Sequence, residues 1–356
     1  MQNIVITGTG SYTPEKVIKN SDFLNQEFYD EKKVKFEADN QEIIRKFKEI
    51  TGIEQRRYVT EDLNNSDIGY FAAQKAIEDA GIDKEELGYI IVGQNAGDVL
   101  YGSHQSDMIP SIASRIKQKL GIKNPRSIAY DLLFGCPGWL QGVIHMTAFM
   151  KTGMTKSAVV IGTETLSRII DKYDRDSMIF ADGGGATVFE LVEEEEKRGI
   201  LSFSMLSDTY EGASYLFMDK TYNPNIKDNI RYIKMMGRKI YEYALMNVPA
   251  AMKEALDKSG VDIKDVKKVF IHQANEKMDA AIIKRFFKLY GIKNVDENVM
   301  PMNIDEYGNS SVATIPTLLD LVLKQNYKGH KIEKGDVVIF ASVGAGMNIN
   351  AVVYRF

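Results

Sequence analysis

A chain of 356 residues, 44% hydrophobic and 26% charged, carries enough apolar material for a large buried core. A net charge of −4 gives no global pull toward nucleic acid, and no apolar run approaches the roughly 18 residues that a membrane span requires. The single cysteine, Cys136, excludes an internal disulfide. The opening MQNIVITGTGSY has no charged stretch ahead of a long apolar one, so it does not read as a secretory leader, and a cytoplasmic protein is expected.

In chain order, NIVITGTG predicts a strand running into a Gly turn. Residues 20–50 are charged, show no clear core face and read either as a lid insertion or as surface decoration. DIGYFAAQKAIEDAG predicts an amphipathic helix stopped by Gly81, and GYIIVGQ a short buried strand. PSIASRIKQKLGI predicts a helix and SIAYDLL a strand. CPGWLQGVIHMTAFMKTG predicts a helix so poor in charge that most of its sides must be buried. SAVVIGTE and ATVFELVEEE are strands. After a second excursion at 207–235, rich in Tyr, Asp and Asn, the order resumes with a long helix over IYEYALMNVPAAMKEALDKSG, the strand KKVFIHQ and two more helices. DVVIFASV and INAVVYRF close the chain as strands. Strand–helix alternation of this kind implies an α/β protein with mostly parallel sheets covered by helices.

The order also repeats. Residues 75–93 (KAIEDAGIDKEELGYIIVG) align without a gap on 254–272 (EALDKSGVDIKDVKKVFIH), and KSAVVI at 156–161 echoes KGDVVI at 334–339. The identities Ala76/Ala255, Gly81/Gly260 and Asp83/Asp262 sit in a matching apolar pattern, which points to two duplicated halves of one fold. Where the first copy ends its strand on Gly93, the second ends on His272.

Cys136 stands between a predicted strand and a predicted helix, and Pro137 fits the first helical position. A helix N-terminus stabilises an anion by about 0.3–1 kcal/mol, which would lower the thiol pKa and sharpen the nucleophile; an inert buried cysteine is the competing reading. Of the four histidines, His104 and His330 lie in polar loops, and His145 falls inside the Cys136 helix as a buried histidine. His272 ends a strand, where α/β proteins collect ligands and catalytic groups. Asn309, in YGNSSVAT, reads either as a helix cap or as an amide donor aimed into a site. ADGGGATVFEL and SVGAGMNINAVV read as Gly-rich turns able to present a backbone N–H to an oxyanion. No HExxH, paired Cys or clustered His indicates a metal.

Cys136 in DLLFGCPGW, His272 in HQAN, Asn309 in YGNSS and Gly346 in GAGMN together resemble the β-ketoacyl-acyl-carrier-protein synthase III group of thiolase-fold condensing enzymes, over essentially the whole chain. The resemblance implies a thiolase-like fold of duplicated βαβαβαββ halves in an αβαβα core. The halves would span residues 1–195 and 236–356, joined by a pocket-forming segment at 196–235. It implies a Cys136–His272–Asn309 triad, an oxyanion hole from the N–H groups of Cys136 and Gly346, and substrate contacts from Arg168, Ile109 and Asn275. Ile109 would reach across a homodimer to cap the acyl pocket, and Lys277, Lys284 and Arg285 would meet an acidic acyl carrier protein. Substrates would be coenzyme A or phosphopantetheine thioesters, with no further cofactor. Two departures stand out: Lys46 and Ile50 replace the Trp and Arg that sandwich the adenine in the family, and Glu242 replaces a Lys. They favour a carrier-borne acyl donor, or a specialised ketosynthase of secondary metabolism joining acyl or β-ketoacyl thioesters. A non-catalytic partner subunit is disfavoured because all three triad residues are present, and no glutamate stands out as an acid near the cysteine.

Overall fold

The computed structural model describes residues 1–356. Its first half comprises β1 (Gln2–Tyr12), β2 (Lys16–Lys19), α1 (Asn40–Thr51), β3 (Gln55–Tyr58), α2 (Asn65–Ala80), β4 (Tyr89–Gly93), α3 (Ile112–Lys119), β5 (Ile128–Leu132), α4 (Gly138–Lys151), β6 (Ser157–Thr165) and β7 (Asp182–Glu193). The second half follows with β8 (Gly199–Ser207), α5 (Thr209–Gly212), β9 (Leu216–Asp219), β10 (Tyr232–Met235), α6 (Gly237–Ser259), β11 (Val266–Ile271), α7 (Glu276–Lys288), α8 (Ile304–Tyr307), α9 (Thr314–Gln325), β12 (Val337–Gly344) and β13 (Asn348–Arg355).

The residues shared by the two repeat copies are those that end and start elements. Gly81 and Gly260 close α2 and α6 in the left-handed conformation. Asp83 and Asp262 each cap the next short turn by accepting a backbone N–H two residues on. Ala76 and Ala255 are fully buried, where a larger side chain would hold the helix off its sheet.

Two large sheets result, in the orders β1-β7-β6-β4-β5 and β11-β12-β13-β8, beside the two-stranded pairs β2-β3 and β9-β10. β4 pairs in parallel with β5 and β6, and β11 in parallel with β12; the remaining neighbours are antiparallel. Between the sheets lie α4 and α9. Trp139, Leu140, Val143, Ile315, Leu318 and Val322 share one core with Val160 of the first sheet and Phe340 of the second. α2 and α3 cover the outer face of the first sheet, and α6 and α7 that of the second, which completes five layers. α4 is thus enclosed on most sides, as its lack of charge requires.

Three features depart from the sequence reading. The second sheet has four strands, because residues 289–313 supply short turns and α8 instead of a counterpart to β5. β8 pairs with β13, so the second layered half begins at Gly199 and not at 236. The glycine run of ADGGGAT forms no turn: Gly183, Gly184 and Gly185 lie inside β7, all three paired with β6 and the last two also with β1. A Cβ on Gly184 would stand 2.8 Å from the Ile68 carbonyl, and one on Gly185 2.6 Å from the Thr317 nitrogen. The glycines let two helices, one on each face, approach the strand this closely.

Residues 20–50 also differ from expectation, because α1 does have a core face. Its Ile43 and Phe47 pack on Phe28, Ile53, Met178 and Ile304. The buried Arg56 ties this layer down, donating to the carbonyls of Met178 and Ile18 and to the Asn20 side chain while lying over Phe23 and Phe47.

Candidate active site

β11 runs directly into His272, whose backbone N–H still pairs with the Ala341 carbonyl of β12, so the imidazole is delivered at a strand end in the buried interior. Asn309 is fixed by a parallel bridge to Phe180: its N–H donates to Ile179 and its carbonyl accepts from Ala181. Cys136 sits on the turn between β5 and α4, packed against the turn after β12. There a Cβ on Gly135 would stand 2.6 Å from the Ala345 nitrogen, and one on Gly344 2.4 Å from the Cys136 nitrogen. Gly346 in that turn adopts φ +78°.

The three side chains meet around one further residue, Ser311. Its hydroxyl donates to the Cys136 sulfur at 3.3 Å, and its N–H donates to Asn309 Oδ1 at 2.8 Å. Its backbone borders the His272 ring. Because the Asn309 amide oxygen is committed to that N–H, the NH2 end is the free donor. Asn309 lines two cavities. The outer, about 660 Å³, is bounded by α1, the start of α6 and the start of α7; the inner, about 150 Å³, contains Cys136 with Leu166, Ile169, Phe180, Phe217 and Ile233.

Burial sets the electrostatics. The Cys136 thiol is pushed up to about 11; desolvation dominates and the Glu164 carboxylate adds to it, while the Ser311 hydroxyl and the residue's own N–H act the other way. The expected lowering at a helix N-cap is therefore overturned. α4 begins at Gly138 with Pro137 at its N-cap, so the sulfur lies outside the first turn and desolvation outweighs the dipole. Burial brings His272 down to about 4, with the Ser311 backbone partly offsetting it, so the ring is a neutral donor or acceptor near pH 7.

The other anticipated residues divide. Asn275 caps α7 through its side chain and also lines the outer cavity. Lys46, Ile50 and Glu242 line it too, but Lys46 pairs with Glu42 at 3.2 Å and Glu242 with Arg238 at 2.9 Å. Arg168 is turned inward: it donates to the Thr60 and Leu63 carbonyls and stacks on Tyr101, while Arg175 lines the outer cavity. Lys277, Lys284 and Arg285 are exposed on α7, and Ile109 is 89% exposed. His145 is half-buried, with Nδ1 3.4 Å from the Tyr130 hydroxyl. His104 meets the edge of Tyr232, and His330 lies 3.2 Å from the Lys268 ammonium.

Sequence reasoning missed Ser311, Asn95 and Glu164. Asn95 Nδ2 donates to Glu164 Oε2 at 2.6 Å and to Ser311 Oγ at 3.2 Å, and Glu164 is fully buried. A glutamate does therefore stand near the cysteine, linked to it through Asn95 and Ser311. The strand-end rule that singled out His272 would have found both partners, since Asn95 follows β4 and Glu164 is next to last in β6.

Comparison with known proteins gives this geometry its context. Residues 130–209 match the family described as 3-oxoacyl-[acyl-carrier-protein (ACP)] synthase III, and residues 256–356 match its C-terminal region. The chain is 31% identical over 362 residues to the beta-ketoacyl-[acyl-carrier-protein] synthase III of Desulfitobacterium hafniense, covering 100% of this chain and 98% of the relative. The chain belongs to the β-ketoacyl-[acyl-carrier-protein] synthase III family. The corresponding protein of Staphylococcus saprophyticus is 32% identical over 99% of both chains. The crystal structure of 3-oxoacyl-[acyl-carrier-protein] synthase III from Aquifex aeolicus VF5 superposes with a TM-score of 0.79 at 29% identity, over 99% of this chain and 100% of that one. As a member of this synthase III family the chain is an acyltransferase that forms carbon–carbon bonds, and its paired halves are the thiolase fold.

Proposed function

We propose that this synthase primes itself by acyl transfer to Cys136 and then condenses that acyl group with a malonyl thioester on an acyl carrier protein. The observation that carries the reading is the position of Asn309 on both cavities, with Cys136 on the inner one. A pantetheine arm filling the outer cavity would bring its thioester to the amide of Asn309 and the sulfur of Cys136. In the first step the Cys136 sulfur bonds to the thioester carbonyl and the donor thiolate leaves, taking up the proton that the cysteine gives up. The N–H groups of Cys136 and Gly346 serve the oxyanion. In the second step the malonyl thioester loses CO2. His272 and Asn309 hydrogen-bond the enolate oxygen, the enolate carbon bonds to the acyl carbonyl, and Cys136 departs as a thiolate that takes up one proton. Neutral donors suit this step, because they stabilise an enolate without protonating it.

The inner cavity supports a short acyl group. About 150 Å³ of apolar space is the size that accommodates benzene, so a primer of roughly six carbons or fewer fits one chain. The paired charges at the mouth support a carrier-borne donor. Lys46 and Arg238 are each matched by a glutamate, whereas the phosphates of free coenzyme A call for unmatched cations. The carrier would meet Lys277, Lys284 and Arg285 on α7, whose first turn borders the mouth. The specialised ketosynthase of secondary metabolism is the second reading, favoured by the same neutralised mouth.

Intact-mass analysis after mixing with acyl-coenzyme A and acyl-carrier thioesters tests the reading. The wild type is expected to gain one acyl group, faster from the carrier, and Cys136→Ala none. His272→Ala is expected to acylate yet to lose condensation by a factor of at least 10². An acylated Cys136→Ala protein, or normal condensation by His272→Ala, would overturn the corresponding assignment.

A further inference from the structure

The hydrogen bonds around Ser311 have a direction. Asn95 Nδ2 is a donor to both of its neighbours, Glu164 Oε2 and Ser311 Oγ. With its oxygen occupied as an acceptor, the Ser311 hydroxyl has its hydrogen left for the Cys136 sulfur, 3.3 Å away. An amide cannot relay a proton along this path, so the Glu164 carboxyl group acts by orienting Asn95 and not as the base for the cysteine. The backbone points the same way: Ser311 adopts φ +53°, a conformation disfavoured for any residue with a Cβ, and Asn309 Oδ1 holds its N–H there. Strain of this kind persists where the surroundings over-determine it, and here it aims one hydroxyl at one sulfur.

We propose that Ser311 is a catalytic residue that donates a hydrogen bond to the Cys136 thiolate, and that Asn95, anchored by Glu164, is the positioning residue that fixes the direction of that donor. The proposal rests on Cys136 being the acyl acceptor. Ser311 forms and breaks no covalent bond. It stabilises the sulfur as it loses its proton before acyl transfer and again as it leaves the acyl carbon in condensation. Without this donor, burial and the nearby carboxylate would act on the thiol with little opposition.

The test is the pH dependence of Cys136 alkylation by iodoacetamide, read by intact mass on the full chain, beside self-acylation by an acyl thioester. A hydrogen bond to a charged group sets the scale, so Ser311→Ala is expected to displace the rising limb of the profile upward by about one pH unit. Alkylation at any fixed pH on that limb then slows about tenfold. Ser311→Gly, which tolerates φ +53°, is expected to show the same displacement without loss of thermal stability, which separates the hydroxyl from any folding role. Asn95→Ala should displace the profile in the same direction by less, and Glu164→Gln, which keeps an acceptor for Asn95, should not displace it upward. A larger alkylating reagent should report the same displacement, which excludes a purely steric effect. An unchanged profile in Ser311→Gly would overturn the catalytic role, and an unchanged profile in Asn95→Ala the positioning role. A wild-type protein that never acylates, while the variants still show these displacements in alkylation, would instead sink the nucleophile assignment and leave the donor geometry standing.

Discussion

A thiol pushed up to about 11 and an imidazole brought down to about 4 divide the pH scale between them. Between pH 6 and 9 the sulfur is mostly protonated and its reactive fraction grows about tenfold per unit, while His272 stays neutral and contributes no inflection. Self-acylation followed by quench and intact mass should therefore climb across this window with slope near one; a plateau below pH 8 would show that Cys136 is more acidic than its burial implies. Glu164 makes a second prediction, through stability. Burial raises its carboxyl to about 8, above the ordinary glutamate value. Below that ordinary value both folded and unfolded chains hold the proton. Between it and about pH 8 only the unfolded chain ionises, so stability falls as pH rises through this window and levels off above. Glu164→Gln should remove this slope, giving a larger gain in Tm over wild type at pH 8 than at pH 5. Cys136 and His272 were singled out as chemically loaded types at element ends, and Asn309 by its place in the motif YGNSS. Ser311 and Asn95 drew no notice, because Ser and Asn in loops default to caps and turns; the strand end marks the place of Asn95, but hydrogen-bond directions across distant segments are what give both their roles.

At the scale of elements, α1 shows how a core face can hide. Ile43, Phe47 and Thr51 recur every four residues and are buried, but the Lys, Arg and Glu between them dilute the pattern, and Arg45 and Lys46 spend their charge on neighbouring glutamates. Phe47 both holds α1 to the cluster around Phe28 and Ile53 and lines the outer cavity. Phe47→Ala is thus expected to cost about 3 kcal/mol or more at the level of this cluster, and to raise KM for the acyl donor more than it lowers kcat. Protease susceptibility of residues 20–50 together with steady-state kinetics would check this, and a pure kcat defect would mean that α1 does not shape the donor site. The glycines of β7 misled for the opposite reason. Their composition reads as a turn, yet the constraint is helix-to-strand distance, which only tertiary packing reveals. The repeat, by contrast, was legible because its shared residues are caps and a small buried contact, features that every copy of the unit needs.

Across the whole molecule, the aliphatic side chain most turned to solvent is that of Ile109. Ile109 is 89% exposed, and Leu100, Tyr101 and Met108 of the same segment also show apolar surface to solvent. Scattered exposed apolar residues are ordinary, but four within ten positions, next to the element that carries Asn95, fit an interface between two copies better than a free surface. We expect the chain to sediment at twice the monomer mass, with Ile109 of one copy closing the acyl cavity of the other. The two roles separate by substitution. Ile109→Asp places a charge in an apolar contact and should shift the equilibrium toward monomer while self-acylation slows. Ile109→Ala should keep the dimer but enlarge the closed cavity, so that mass analysis with a ladder of acyl thioesters finds adducts longer than the wild type accepts. A dimeric Ile109→Ala protein with unchanged chain-length preference would place the cap of the pocket elsewhere. Leu216, Phe217 and Met218 around β9, which line the inner cavity, would then be the residues to test as its cap.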